Sequence, residues 1–192
     1  MIYLFRRATK LKGIVMTAAL IIIDMQKFIV DRINNGIGMY PDNAVHNMES
    51  ILKKFRDAGD PVIHIRHQTP GEGSPLHQHS LLAHVMEEFE AEQGEPVLIK
   101  NTSSAFSSTD LFSHLKTNHI DECVVIGAVA GFCVNSTVRA GADLGLKMTV
   151  VKDAVISFAL QESNLEAKTI LDVTLGLLEA GFAKIVTTKE IV

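Results

Sequence analysis

A thiol, an amine and a carboxylate each stand where a run of apolar residues stops. Cys133 lies in the segment Gly127-Ala128-Val129-Ala130-Gly131-Phe132-Cys133, just past the apolar run 123–126 and near the start of a helical pattern over 132–144. Free N–H groups and the partial positive charge of a helix N-terminus favour a thiolate, the nucleophilic form of cysteine. Gly131 lets the backbone come close to a bound group. A free cysteine also serves as a small buried hydrophobe, so location alone leaves both readings open. Asp24 closes the apolar run 19–23, and Lys100 closes the run 96–100. A carboxylate can take up and return a proton, and an amine can hold positive charge beside a thiol.

The elements that must position these groups follow from the apolar pattern. Strands are predicted over 19–23, 61–66, 96–100, 123–126, 147–151 and 183–186. The continuous β-branched runs suit strands buried on both faces. Helices are predicted over 41–58, closed by Gly59, over 109–118 with Ser108 as N-cap, over 132–144, and over 161–180, closed by Gly181. Residues 67–84, with two prolines and two glycines, read as a long loop. Strand and helix alternate throughout. That pattern predicts an α/β, three-layer αβα fold: a Rossmann-like open sheet of about six mostly parallel strands, helices on both faces. In such sheets ligands bind beyond the carboxyl ends of the strands. Asp24, Lys100 and Cys133 all fall on that edge.

Composition narrows the function classes. A chain of 192 residues is most simply one domain with a full core. Its net charge of −4 supplies no basic surface for nucleic acid. No apolar run reaches the ~20 residues that a membrane helix needs. The two cysteines form no CxxC pair, which argues against a thiol-zinc site and for a reducing, cytoplasmic setting. Residues 1–15 are basic (Arg6, Arg7, Lys10, Lys12) and precede Met16, so they read as an N-terminal extension of a domain over 16–192.

Taken in order, several pieces resemble the isochorismatase-like cysteine hydrolases. They are Ile22-Ile23-Asp24-Met25-Gln26, Ile63-His64-Ile65-Arg66-His67, Lys100 followed by Ser104-Ala105-Phe106, the segment 127–139, and Val151-Lys152-Asp153-Ala154. The resemblance implies a catalytic triad of Asp24, Lys100 and Cys133. It implies a cis peptide between Ala128 and Val129, and an oxyanion hole made by the N–H groups of Val129 and Cys133. The implied reaction is hydrolysis of a small amide, ureido or imide C–N bond through a thioester. Cys133 attacks the carbonyl carbon while Asp24 moves the proton and Lys100 lowers the thiol pKa. An isochorismatase-type vinyl-ether hydrolase without a covalent intermediate, and a non-catalytic ligand-binding member of the fold, are the alternatives. Relatives form dimers or tetramers, so the resemblance also implies a homo-oligomer.

The pocket is harder to read. His67 ends the second strand on the active edge and is a candidate substrate contact. Gln26 and Phe28, which follow Asp24, are candidates for its lining, with Phe28 equally readable as core. Phe106 is a candidate pocket wall by analogy with related enzymes. His64 lies mid-strand and reads as packed, Cys123 as core and Arg139 as a structural ion pair. Many relatives carry Thr and then Asp or Glu where this chain has Ala130 and Gly131. The Asp-x-His metal pattern of nicotinamidases is absent from Arg66-His67-Gln68. His77, His79 and His84 share a loop at loose spacing, weak support for a metal. No cofactor is expected.

Overall fold

A computed structural model describes residues 17–192; the expected extension over 1–15 lies outside them. In chain order the elements are β1 (Thr17–Ile23), α1 (Phe28–Asn34), β2 (Met39–Tyr40), α2 (Ala44–Ala58), β3 (Val62–His67), β4 (Val97–Lys100), α3 (Ala105–Ser108), α4 (Leu111–Thr117), β5 (Ile120–Ala128), α5 (Asn135–Asp143), β6 (Lys147–Phe158), α6 (Ala167–Glu179) and β7 (Ala183–Val186). A π-helical turn, Ala130–Val134, joins β5 to α5. The sheet runs β2-β6-β5-β1-β3-β4, with β7 also paired to β6. Every pairing is parallel except β2 with β6. The fold is α/β with seven strands.

The apolar runs are buried on both faces, as their continuity requires. Along β1, Ala19, Ile21 and Ile23 enter one core with α4, α5 and α6, while Leu20 and Ile22 enter a second core with α1 and α2. All five are at most 2% exposed. Burying each of the larger aliphatic side chains contributes about 1.5–3 kcal/mol, so β1 is an anchor for the site at its end.

Three departures from the sequence expectation have local causes. The fifth predicted strand does not stop at residue 151. Opposite β5 its register jumps from Val125↔Val150 to Gly127↔Val155, and β6 then continues to pair with β2. The polar interruption that reads as a strand end is a bulge. It is pinned by Asp153, whose Oδ1 accepts from the Thr188 N–H at 2.8 Å and whose carbonyl accepts from Asn47 Nδ2 at 2.7 Å. The helix predicted over 161–180 starts at Ala167, because Asn164 is left-handed (φ 52°) and ends a short 3-10 turn. Ser108 does not cap the 109–118 helix. It closes α3 and accepts from the Asn101 N–H, while Thr109 Oγ1 accepts from Leu111 at the start of α4.

Candidate active site

Backbone geometry at three strand ends brings the reactive side chains together. Asp24 follows β1 in a left-handed conformation (φ 53°), its N–H bonded to the Ile65 carbonyl at 2.9 Å. Aspartate is among the few residues that tolerate this region. On the other side β5 pairs Gly127 with Ile23. Gly127 has φ 123°, and a Cβ there would strike the Ile23 carbonyl and lie 2.6 Å from the Ile23 nitrogen. Only glycine lets the two backbones meet so closely, and that approach sets the nucleophile loop beside Asp24. The third end comes from register: β3 and β4 pair His67 with Lys100 across adjacent strands.

Lys100 is the hub. Its side chain is wholly buried, and Nζ lies 2.7 Å from Asp24 Oδ2, 2.7 Å from His67 Nδ1 and 3.2 Å from Cys133 Sγ. An ammonium has three N–H bonds, and each has an acceptor. Asp24 Oδ1 is buried without a partner among the described residues. The expected meeting of Asp24, Lys100 and Cys133 is therefore present as geometry.

Electrostatics alter the expected state of the thiol. Burial pushes Cys133 up to about 12, Asp24's charge adds to this, and the nearby Lys100 only partly offsets them. That push opposes the thiolate that a helix start favours. Cys133 lies in the π-helical turn ahead of α5, and desolvation outweighs any helix-end field. Asp24 is also raised by burial, against the pull of Lys100. Burial, then the Lys100 charge, lower the His67 pKa and keep the ring neutral.

The other predicted residues divide. Gln26 does not line a pocket: it is fully buried and its amide is spent on backbone. Nε2 donates to the carbonyls of His67 (3.0 Å) and Ala83 (2.7 Å), and Oε1 accepts from the His67 N–H (2.8 Å). It clamps His67 and the following loop to β1. Phe106 is half-buried. Its ring edge lies over Gly141 of α5 beside Met148, packed against the first core. Phe28 packs half-buried on the second core. Gly131 also serves helix packing, since a Cβ there would lie 3.2 Å from Ile170 of α6. The Ala128–Val129 peptide is cis, and the Val129 N–H has no hydrogen-bond acceptor among the described residues. His64 is buried and bonded to Glu95 at 2.8 Å. Arg139 stacks on Phe182 at 4.2 Å instead of forming an ion pair.

Among the described residues, the one group of three or more His, Cys, Asp or Glu side chains near enough to share a metal is Asp24, His67 and Cys133, with ligand atoms within 4.8 Å of one another. Lys100 Nζ already lies among these atoms, so a cation there would have to displace it. His77, His79 and His84 form no such group.

A mostly parallel α/β sheet with a buried carboxylate and amine beside a half-buried thiol at its carboxyl edge defines a class of hydrolase. The Isochorismatase domain matches residues 18–190, and the chain belongs to the isochorismatase family. It is 32% identical over 146 residues to the secreted isochorismatase effector Isc1 of Verticillium dahliae, covering 76% of this chain and 75% of that one. It is 30% identical over 180 residues to the uncharacterized isochorismatase family protein YrdC of Bacillus subtilis, covering 91% and 94%. A crystal structure of an isochorismatase-family hydrolase from Chromobacterium violaceum superposes with TM-score 0.85 at 27% identity over 91% of each chain. The family includes hydrolases of amide bonds, N-carbamoylsarcosine amidase and nicotinamidase among them. Among the described residues no helix is long and apolar enough to cross a membrane.

Proposed function

We propose that this hydrolase cleaves a C–N bond of a small amide, ureido or imide compound through a thioester on Cys133. One observation carries the reading: the Lys100 ammonium touches both the Asp24 carboxylate and the Cys133 sulfur. Asp24 takes the thiol proton as Sγ attacks the carbonyl carbon, so no standing thiolate is needed. Its unpaired Oδ1 is the free acceptor for that proton. The developing oxyanion rests on the N–H groups of Val129 and Cys133; losing one such donor typically costs about 10²–10³ in rate. Asp24 returns the proton to the departing amine. Water, deprotonated by Asp24, then splits the thioester and restores the thiol. The test is ammonia release from a panel of small amides and carbamoyl compounds, with intact-mass trapping. An acyl mass increment absent from Cys133→Ala supports the reading; turnover with full activity in Cys133→Ala overturns it.

The protonation state also favours a second reading, vinyl-ether hydrolysis. A raised Asp24 carboxyl could protonate the substrate beside a neutral thiol. Turnover with no acyl adduct at any time would select it. The remaining parts of the proposal are a reducing, cytoplasmic setting, in keeping with two free cysteines, and a homo-oligomer, in keeping with the exposed Val173 and Leu177 on α6.

A further inference from the structure

The hydrogen-bond arithmetic around Lys100 fixes the form of a neighbouring side chain. Paired with Asp24, the ammonium carries three N–H bonds and no lone pair. The Lys100 contact to His67 Nδ1, 2.7 Å long, must therefore run from lysine to histidine. Nδ1 accepts, so the ring proton sits on Nε2. A doubly protonated ring would set an N–H against the ammonium. Gln26 fixes the backbone that carries the ring by holding both the N–H and the carbonyl of His67. Nε2 has no partner among the described residues, and the half-buried ring leaves this nitrogen for a ligand. The imidazole and the Cys133 sulfur share a cluster whose ligand atoms lie within 4.8 Å of one another. Lys100 Nζ touches both His67 Nδ1 and Cys133 Sγ, so the ring stands one ammonium away from any carbon the sulfur attacks.

We propose that His67 is a specificity-determining residue: a fixed Nε2–H donor that selects substrates carrying a second hydrogen-bond acceptor, a carboxylate or carbonyl oxygen, close to the scissile carbonyl. This rests on the amide-hydrolase reading above and narrows its substrate class. Ureido acids, imides and α-oxo amides carry such an acceptor; simple alkyl amides and alkylureas do not. A donor that bound substrate shields from water, left without its acceptor, discriminates against the lacking analogue.

Two matched pairs test it: N-carbamoylglycine against ethylurea, and oxamate against propionamide. The wild type is expected to favour the acceptor-bearing member by at least about tenfold in kcat/KM. His67→Asn keeps an acceptor for Lys100 near Nδ1 and deletes the donor at Nε2. Its preference should fall to within about threefold, with the loss mainly in KM. His67→Gln keeps a donor near Nε2, so it should retain the preference at lower kcat. A preference unchanged in His67→Asn overturns the assignment. Nitrogen-15 spectra of the wild-type imidazole at pH 7.5 give a readout independent of turnover and of the variants' folding. An Nε2–H tautomer supports the proposal, and an Nδ1–H tautomer or an imidazolium overturns it. No ammonia from any of the four compounds, with the Nε2–H tautomer confirmed, would instead place the failure in the amide-hydrolase reading.

Discussion

Replacing Asp24 by asparagine should make Cys133 more reactive toward an alkylating agent while removing turnover. The two effects part because Asp24 would act on the sulfur twice: in the proposed mechanism as the base that takes its proton, and as a negative charge that disfavours its ionisation. Ligand atoms of the two residues lie within 4.8 Å of each other. At an effective dielectric of about 20, a unit charge at that separation is worth about 3 kcal/mol, or roughly 2 pKa units. The wild-type thiol stands at about 12, so at pH 8 only about one sulfur in 10⁴ is ionised. Removing the carboxylate charge leaves Lys100 beside the sulfur and raises that fraction about 100-fold. Asparagine keeps an oxygen for Lys100 to donate to, which limits the structural disturbance. The assay is the pseudo-first-order rate of iodoacetamide labelling between pH 6.5 and 9.5, followed by intact mass. Cys133→Ala serves as the blank, because Cys123 is 1% exposed. Labelling of Asp24→Asn at or below the wild-type rate would refute the electrostatic account.

Three further outcomes follow from the same geometry. Lys100→Met leaves Asp24 buried without its cation and should destabilise the protein by about 3–5 kcal/mol; the double variant with Asp24→Asn should recover most of that loss, as read by urea unfolding. Gly127→Ala forces a Cβ into the Ile23 backbone and should lower stability by more than about 3 kcal/mol with loss of activity, visible as a fall in Tm; an unchanged Tm would remove the reason for glycine there. His64 and His67 both have pKa values lowered from 6.5, chiefly by burial. The unfolded chain binds protons at these sites before the folded one does. Stability should therefore be full above pH 6.5 and decline as pH falls through the depressed values. Denaturant titrations from pH 8 to 5 check this, and a flat profile between pH 6.5 and 5 would contradict it.

The strand ends were legible because burial on both faces leaves a continuous apolar run, and such a run stops visibly at Asp24 or Lys100. The joint placement of acid, amine and thiol followed from parallel topology alone. Gln26 was misread because its partners lie 41 and 57 residues away and are backbone atoms, which no local pattern encodes. Its adjacency to Asp24 looked like pocket lining. Phe106 meets a related limit: spacing places a residue near a site without saying that its ring edge lies over Gly141. The upward push on the Cys133 thiol was not legible, because a helix start is local and visible, whereas burial is a sum over the whole fold. The strand β2 is two residues long, too short for any periodicity, and α1 begins so soon after Asp24 that it merged with the loop.

Lys100 is carried by β4, which among the described residues has β3 on one side and no strand on the other. That strand is four residues long, and its Val97 and Ile99 are exposed. Peeling such a border segment away costs far less than melting the interior sheet. The Lys100 ammonium, central to the proposed mechanism, is therefore mounted on a border strand of the framework. Gentle warming or dilute denaturant should silence the protein while its central strands still resist hydrogen exchange, and cooling should restore it without refolding the whole.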